Sequence, residues 1–218
     1  MNMQSPSAIP VNSALLIVDL QVDFIRGGTL AVPGGEQIIP VVERLVHLPF
    51  NFKLASKDWH PLQHVSFATT HQQEPGSYIS LKNEVQQLWP VHCIQNTKGA
   101  EFAPGWDYKQ IDHIFYKGMD PHIDSYSAFF DNQHTKSTGL GDFLEAHKIK
   151  HLFIAGLTTD YCVKYSALDA MKFGFQTYVI SDACRGVNVH PGDTAKAYQV
   201  IQQTGVKIIT SGELITLI

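Results

Sequence analysis

Three residues with the chemistry of nucleophilic catalysis each come at or just after the end of an apolar run. Asp19 follows such a run in LLIVDLQVDF, Lys117 ends one in HIFYKG, and Cys162 lies shortly after one in FIAGLTTDYCV. An aspartate can take the proton of a thiol, and a lysine ammonium favours the thiolate. Taken singly, each residue also fits an ordinary structural role, so only the combination indicates catalysis.

The surroundings of Cys162 add a second indication. If Thr159 or Asp160 caps the following helix, Cys162 lies in its first turn. Free backbone N–H groups and the positive end of the helix dipole favour a thiolate there. We therefore expect an activated cysteine at the start of a helix.

A second set of residues has the types and spacing of a metal site. Asp58 and His60 lie two apart in KDWHP, where an extended chain points both side chains the same way, and His92 follows in LWPVHC. One carboxylate with imidazoles suits Zn²⁺, Fe²⁺ or Mn²⁺ and leaves coordination positions open. Cys93 could equally be the ligand in place of His92, and His64 could be a ligand or a surface histidine.

Aromatic side chains accompany these polar candidates. Phe24, Trp59, Trp89 and Tyr126 each lie near one of them in the sequence. Such rings suit a small, flat, largely apolar ligand with one or two polar groups. Core packing explains any one of them alone.

Buried strands and amphipathic helices must position these residues. Strands are expected over 14–18, 52–56, 113–116, 151–155, 176–180 and 206–209, and helices over 36–48, 140–147, 161–173 and 194–203. Runs that are apolar on both faces are typical of parallel strands covered by helices. The pattern predicts an α/β fold with a doubly wound, mostly parallel six-stranded sheet and helices on both faces.

The site is expected beyond the carboxyl ends of these strands, where open parallel sheets bind ligands. Two long irregular stretches, 57–110 and 118–139, hold most of the histidines. Long loops in compact α/β domains tend to build sites. We expect residues 1–12 to form a flexible arm and residues 13–218 to form a single domain.

The composition narrows the classes of function. The 218 residues carry a net charge of −4, with 44% hydrophobic and 17% charged side chains and no basic stripe, so nucleic-acid binding is not expected. No apolar run approaches the ~20 residues of a membrane span, and the first residues lack a secretory pattern. We therefore expect a cytoplasmic protein whose three cysteines are reduced.

The motifs IVDLQVDF, KDWHP, LWPVHC, FYKG and GLTTDYCV occur in this order over about residues 13–210. Together they resemble the isochorismatase-like cysteine-hydrolase superfamily and, within it, the nicotinamidase (pyrazinamidase) family. The resemblance implies a catalytic triad and three metal ligands. The matching positions are Asp19, Lys117 and Cys162 for the triad and Asp58, His60 and His92 for the metal.

The resemblance also implies a substrate pocket. Phe24, Trp89 and Tyr126 match positions that enclose the family's amide substrate, and Gln21 matches a position near the catalytic base, so all four are expected to bind substrate. Some relatives have a fourth protein ligand in the loop after the Asp-x-His pair. The residue near that place is His64, with Ser66 or water as alternatives.

The turn that carries the nucleophile has its own implied features. The family has a cis peptide there, which corresponds to Leu157–Thr158. The backbone amides of Thr158 and Cys162 would then form the oxyanion hole.

The implied activity is metal-dependent hydrolysis of nicotinamide, and of pyrazinamide, to the acid and ammonia through a cysteine thioester, in NAD salvage. One divalent ion is expected, with Zn²⁺ favoured over Fe²⁺ or Mn²⁺. The sequence does not decide whether the protein forms a homo-oligomer. The alternative is another amidase of the superfamily with a carbamoyl or ureido substrate. A non-catalytic binding subunit would not need the full triad, and a nucleotide binder would need a glycine-rich turn directly after the first strand.

Overall fold

Six parallel strands form the central sheet of the computed structural model, which describes residues 9–81 and 84–215. The strands of the chain are β1 (Ser13–Val18), β2 (Phe52–Asp58), β3 (Tyr78–Leu81), β4 (Glu84–Gln87), β5 (His113–Lys117), β6 (His151–Leu157), β7 (Gln176–Arg185) and β8 (Lys207–Ile209). The sheet has the order β5-β2-β1-β6-β7-β8 with parallel pairing between neighbours, while β3 and β4 form a separate antiparallel pair.

Helices cover both faces of this sheet. They are α1 (Ile39–Val46), α2 (Leu140–Ala146), α3 (Lys164–Lys172), α4 (Asp193–Gln203) and α5 (Ser211–Ile215). Along β1 the side chains alternate: Leu15 and Ile17 pack in the cluster that includes α1 and α5, whereas Leu16 and Val18 pack in the cluster that includes α2, α3 and α4. Both faces are therefore buried, which explains why the strand is continuously apolar.

The predicted fold class is confirmed, with differences at some boundaries. The strands β2, β6 and β7 run beyond their predicted ends, and the β3–β4 pair and α5 were not predicted. The helix predicted over 161–173 is instead a single π-helical turn, Thr159–Val163, followed by α3. Of the predicted flexible arm, residues 1–8 lie outside the described residues, and Ile9 is buried against the core.

The strand order indicates where on the sheet a ligand would bind. The strand order reverses between β1 and β6, because β2 and β5 extend the sheet on one side and β7 and β8 on the other. Ligands of open α/β sheets bind at such a switch point, beyond the carboxyl ends of the strands. Within the described ranges, no helix has the length and apolar character to cross a membrane.

Candidate active site

Lys117 lies at the centre of a buried ionic cluster at this edge. Its Nζ is 3.0 Å from Asp19 Oδ2 and in short contact with Asp58 Oδ1. It also donates to the Ser125 carbonyl at 2.9 Å and to Cys162 Sγ at 3.4 Å. The three strand-end residues predicted from the sequence are therefore in one place, with Lys117 between the two acids and the thiol.

Burial and mutual charge shift the pKa values of this cluster. Burial by itself lowers the pKa of Lys117, but the carboxylates of Asp19 and Asp58 hold it well above its usual range. Burial raises the pKa of Asp19, and Lys117 offsets only part of that effect. The ammonium is therefore retained, and Asp19 is a stronger base than an exposed aspartate.

The Cys162 thiol is favoured in its protonated form. Burial raises the pKa of the Cys162 thiol well above its usual value, because the stabilisation by Lys117 is opposed by the carboxylates of Asp19 and Asp58. The proton therefore stays on sulfur until a base takes it. Asp19 has a carboxylate oxygen within 4.8 Å of Cys162 Sγ and is positioned for that transfer.

The nucleophile turn joins β6 to α3. Cys162 lies in the π-helical turn, and the N–H groups of Tyr161 and Val163 both donate to the Thr158 carbonyl, at 3.2 and 3.0 Å. The peptide bond Leu157–Thr158 is cis, as the resemblance implies. The role of the Thr158 and Cys162 amides as an oxyanion hole stays a prediction.

The condition that Thr159 or Asp160 caps the helix is not met. Neither Thr159 nor Asp160 makes a side-chain cap at this turn. The Asp160 carboxylate instead accepts the N–H groups of Val187 and Asn188 at 3.0 and 2.7 Å. Asp160 thus fastens the loop after β7 to the nucleophile turn, and Val187 on that loop lines the pocket.

The three candidate metal ligands converge beside the ionic cluster. Asp58 Oδ2 is 3.5 Å from His60 Nε2 and 3.6 Å from His92 Nε2. The two Nδ1 atoms lie 2.9 Å from the Gly118 carbonyl and 2.8 Å from the Pro90 carbonyl. Because a carbonyl only accepts, each Nδ1 carries the proton and each Nε2 lone pair is free to bind a cation. The donor set fits one divalent ion.

His64 has the properties of a further ligand. It is fully buried, its Nδ1 is 2.7 Å from Ser66 Oγ, and its Nε2 has no hydrogen-bond partner among the described residues. Its ring centroid is 4.1 Å from that of His60. Burial, with a smaller contribution from His60, lowers the pKa of His64 to about 3, so the imidazole is neutral. The Ser66 hydroxyl is engaged by His64.

Cys93 is not placed as the alternative ligand to His92. Its Sγ contacts the Gly99 carbonyl at 3.9 Å, and burial raises its pKa well above the usual value. His92 belongs to the cluster with Asp58 and His60, and Cys93 does not.

One small pocket, with a cavity volume of about 30 Å³, joins the thiol, the candidate metal ligands and the aromatic rings. Phe24, Trp89 and Tyr126 line it as predicted, and Trp89 Nε1 donates to Tyr126 Oη at 3.4 Å. Trp59 does not line it, because its ring packs on Tyr116 at 5.1 Å. The residues of the wall that sequence reasoning missed are Leu30, Asp124, Ser125, Tyr161 and Val187.

The missed ring of Tyr161 lies against Trp89 in an edge-to-face contact of 4.9 Å between centroids. Its Oη donates to Gln87 Oε1 at 2.5 Å, which connects the pocket to β4. The available signal was its position directly before Cys162. A tyrosine near the start of a helix is, however, equally typical of core packing.

Gln21 does not line the pocket, contrary to its expected role in substrate binding. Its Oε1 accepts the Asp58 N–H at 2.8 Å, and its Nε2 donates to the carbonyls of Asp58 and Ala100 at 2.8 and 3.1 Å. The whole amide is therefore used to hold protein backbone. Gln21 fixes the end of β2 and contacts no part of the cavity.

The fold and this site define a hydrolase of the α/β class, with a buried cluster of Cys162, Lys117 and Asp19 beside a set of candidate metal ligands. A model of the isochorismatase domain matches residues 13–213, and the chain belongs to that family. It is 46% identical over 200 residues to a nicotinamidase of Escherichia coli, covering 90% of this chain and 94% of that protein.

Solved structures agree with this assignment. A nicotinamidase/pyrazinamidase from an Acinetobacter species has a TM-score of 0.90 at 44% identity, covering 94% of this chain and 99% of that one. A pyrazinamidase of Pyrococcus horikoshii, solved in complex with zinc, has a TM-score of 0.74 at 34% identity, covering 91% and 99%.

Proposed function

We propose that this protein is a nicotinamidase that hydrolyses nicotinamide, and also pyrazinamide, to the free acid and ammonia, as a step of NAD salvage. One observation carries the proposal: Lys117 contacts Asp19, Asp58 and Cys162, and of these Asp58 and Cys162 line the same pocket as His60 and His92. Similarity to nicotinamidases along most of the chain supports the choice of substrate.

The first half of the reaction uses the buried cluster. Asp19 takes the proton of Cys162, and Lys117 balances the negative charge that then lies on sulfur. The sulfur attacks the carboxamide carbon, and the carbonyl oxygen gains the negative charge. Asp19 then gives its proton to the amide nitrogen, so that the C–N bond breaks, ammonia leaves and a thioester remains on Cys162.

The second half releases the acid. Asp19, now a carboxylate again, takes a proton from a water molecule that attacks the thioester carbon. The C–S bond breaks, and the proton returns from Asp19 to sulfur. Backbone N–H groups of Thr158 and Cys162 are the proposed donors to the oxyanion in both halves, and such a donor contributes about 3–4 kcal/mol.

The aromatic wall and the candidate ligands hold the ring. Phe24, Trp89 and Tyr126 enclose a flat heteroaromatic ring, and the burial of Phe24 and Trp89 favours an uncharged one. Asp58, His60 and His92 would hold one divalent cation, with His64 as the proposed further ligand. Zinc is the proposed identity because a pyrazinamidase relative was solved with zinc. When bound, the cation supplies a Lewis acid that orients the ring nitrogen.

The test is ammonia release from nicotinamide by the purified protein, before and after chelation and after return of Zn²⁺. We expect release that disappears with the chelator, returns with the metal and is absent in Cys162→Ala. Cys184→Ala is the matched control, since Cys184 is a buried cysteine that does not line the pocket. No ammonia from the metal-loaded protein, with Cys162 still alkylated by iodoacetamide, would discard nicotinamide and favour a carbamoyl or ureido substrate.

A further inference from the structure

Asp23 is a buried carboxylate beside the pocket that the catalytic steps do not use. It is 8% exposed and does not line the cavity. Its Oδ2 accepts the Cys93 N–H at 2.7 Å, and its Oδ1 accepts the Thr29 N–H at 3.4 Å. A charged acceptor makes the stronger kind of hydrogen bond, so the contact with Cys93 is a firm anchor.

The Cys93 peptide connects this anchor to two candidate metal ligands. His92 directly precedes it in the chain, and the Cys93 carbonyl accepts the His60 N–H at 3.0 Å. Cys93 has a φ of 47°, a left-handed conformation that a residue other than glycine keeps only when its surroundings hold it. The Asp23 carboxylate is the group that holds its N–H.

The packing around Asp23 shows that its place is closely fitted. A Cβ atom on Gly99 would overlap the Asp23 carboxylate, so that glycine permits the close approach. Phe24 follows Asp23 in the chain, and its ring centroid is 5.5 Å from that of His92. A shift of Asp23 would therefore move a wall of the pocket and a metal ligand together.

We propose that Asp23 is a positioning residue for the metal site: through the Cys93 peptide it sets the places of His60 and His92. The inference rests on the metal site of the proposed function. Hydrogen-bond partners behind metal ligands orient them, and their loss typically weakens metal binding by about 10–100-fold.

The experiment titrates Zn²⁺ into metal-free protein by competition with a chelating dye, with far-UV circular dichroism as the check on folding. We expect Asp23→Asn to weaken Zn²⁺ binding by about 10-fold and Asp23→Ala by more, because only the amide variant keeps an acceptor for the Cys93 N–H. Excess Zn²⁺ should restore much of the ammonia release of Asp23→Asn. Asn has nearly the shape of Asp, so this variant carries the test if Asp23→Ala does not fold.

Asp131→Asn is the matched control. Asp131 is also buried and accepts two backbone N–H groups, those of Thr135 and Lys136, but neither partner adjoins a candidate metal ligand. Its variant should bind Zn²⁺ as the wild type does. Folded Asp23 variants that bind Zn²⁺ with wild-type affinity, or an equal loss of Zn²⁺ affinity in Asp131→Asn, would overturn this inference and leave the proposed metal site standing. Wild-type protein that binds no divalent ion would overturn it together with the proposed metal site.

Discussion

The side-chain amide of Gln21 binds both backbone polar groups of Asp58. Its Oε1 accepts the Asp58 N–H and its Nε2 donates to the Asp58 carbonyl, each at 2.8 Å, across 37 positions of sequence. The carboxylate of Asp58 in turn contacts Lys117 through Oδ1 and faces His60 through Oδ2. The catalytic cluster and the candidate metal site therefore share one carboxylate, and Gln21 sets its position.

Replacing Gln21 should disturb both halves of the site at once. Gln21→Leu leaves the buried N–H and carbonyl of Asp58 without these partners, which costs about 1–3 kcal/mol for each group. We expect a lower free energy of unfolding in urea and at least 10-fold slower ammonia release. Gln21→Glu keeps the acceptor for the Asp58 N–H but sets a carboxylate oxygen against the carbonyls of Asp58 and Ala100, so it should lose stability and turnover as well. Wild-type stability and turnover in Gln21→Leu would show that the contact is dispensable.

Lys117 should be needed for folding as well as for turnover. Lys117→Met leaves the buried carboxylates of Asp19 and Asp58 without their shared cation, and breaking a buried ion pair in this way costs about 3–5 kcal/mol. Asp19→Asn in the same chain removes one of the two unpaired charges. We expect the double variant to be inactive but more stable in urea than Lys117→Met. Additive losses of stability would contradict a coupled cluster.

The metal-free protein should lose stability in acid because of His64. Burial lowers the pKa of His64 from 6.5 to about 3. Between pH 6.5 and pH 3, therefore, His64 binds a proton in the unfolded chain but not in the folded protein. The contribution is present above about pH 6.5 and is lost as the pH falls towards 3, by up to ~1.4 kcal/mol per pH unit. In urea unfolding experiments between pH 7 and pH 4, the free energy of unfolding should fall less steeply with decreasing pH in His64→Gln than in the wild type.

An exposed histidine gives the control for that experiment. His190 lies on the surface, and His190→Gln should leave the acid slope as it is in the wild type. The same slope in the wild type and in His64→Gln would mean that another group causes the acid loss.

The sequence was informative where local pattern decides the structure. The strands could be predicted because they are runs that are apolar on both faces. Asp19, Lys117 and Cys162 could be placed at one edge because parallel strands bring their carboxyl ends together there. Their contacts within the cluster, unlike their common edge, depend on strand order and register. Neither can be deduced from the spacing of the motifs.

Other features depend on contacts between distant segments. The β3–β4 pair consists of two four-residue strands, which are too short for their apolar pattern to identify them, yet Gln86 on β4 donates to Asp124 at 3.0 Å and Gln87 accepts from Tyr161. The role of Gln21 follows from the alignment of β1 and β2. The protonation of Cys162 follows from burial and neighbouring charge, which outweigh its place at the start of a helix.

The most direct test of the central claim is mass spectrometry of the reaction with nicotinamide, quenched in acid within the first turnovers. Cys162 as the nucleophile predicts a nicotinoyl group on the peptide that contains Cys162, and neither an adduct nor ammonia release in Cys162→Ala. Ammonia release by Cys162→Ala at the wild-type rate would contradict the account, because the C–N bond would then break without this thiol.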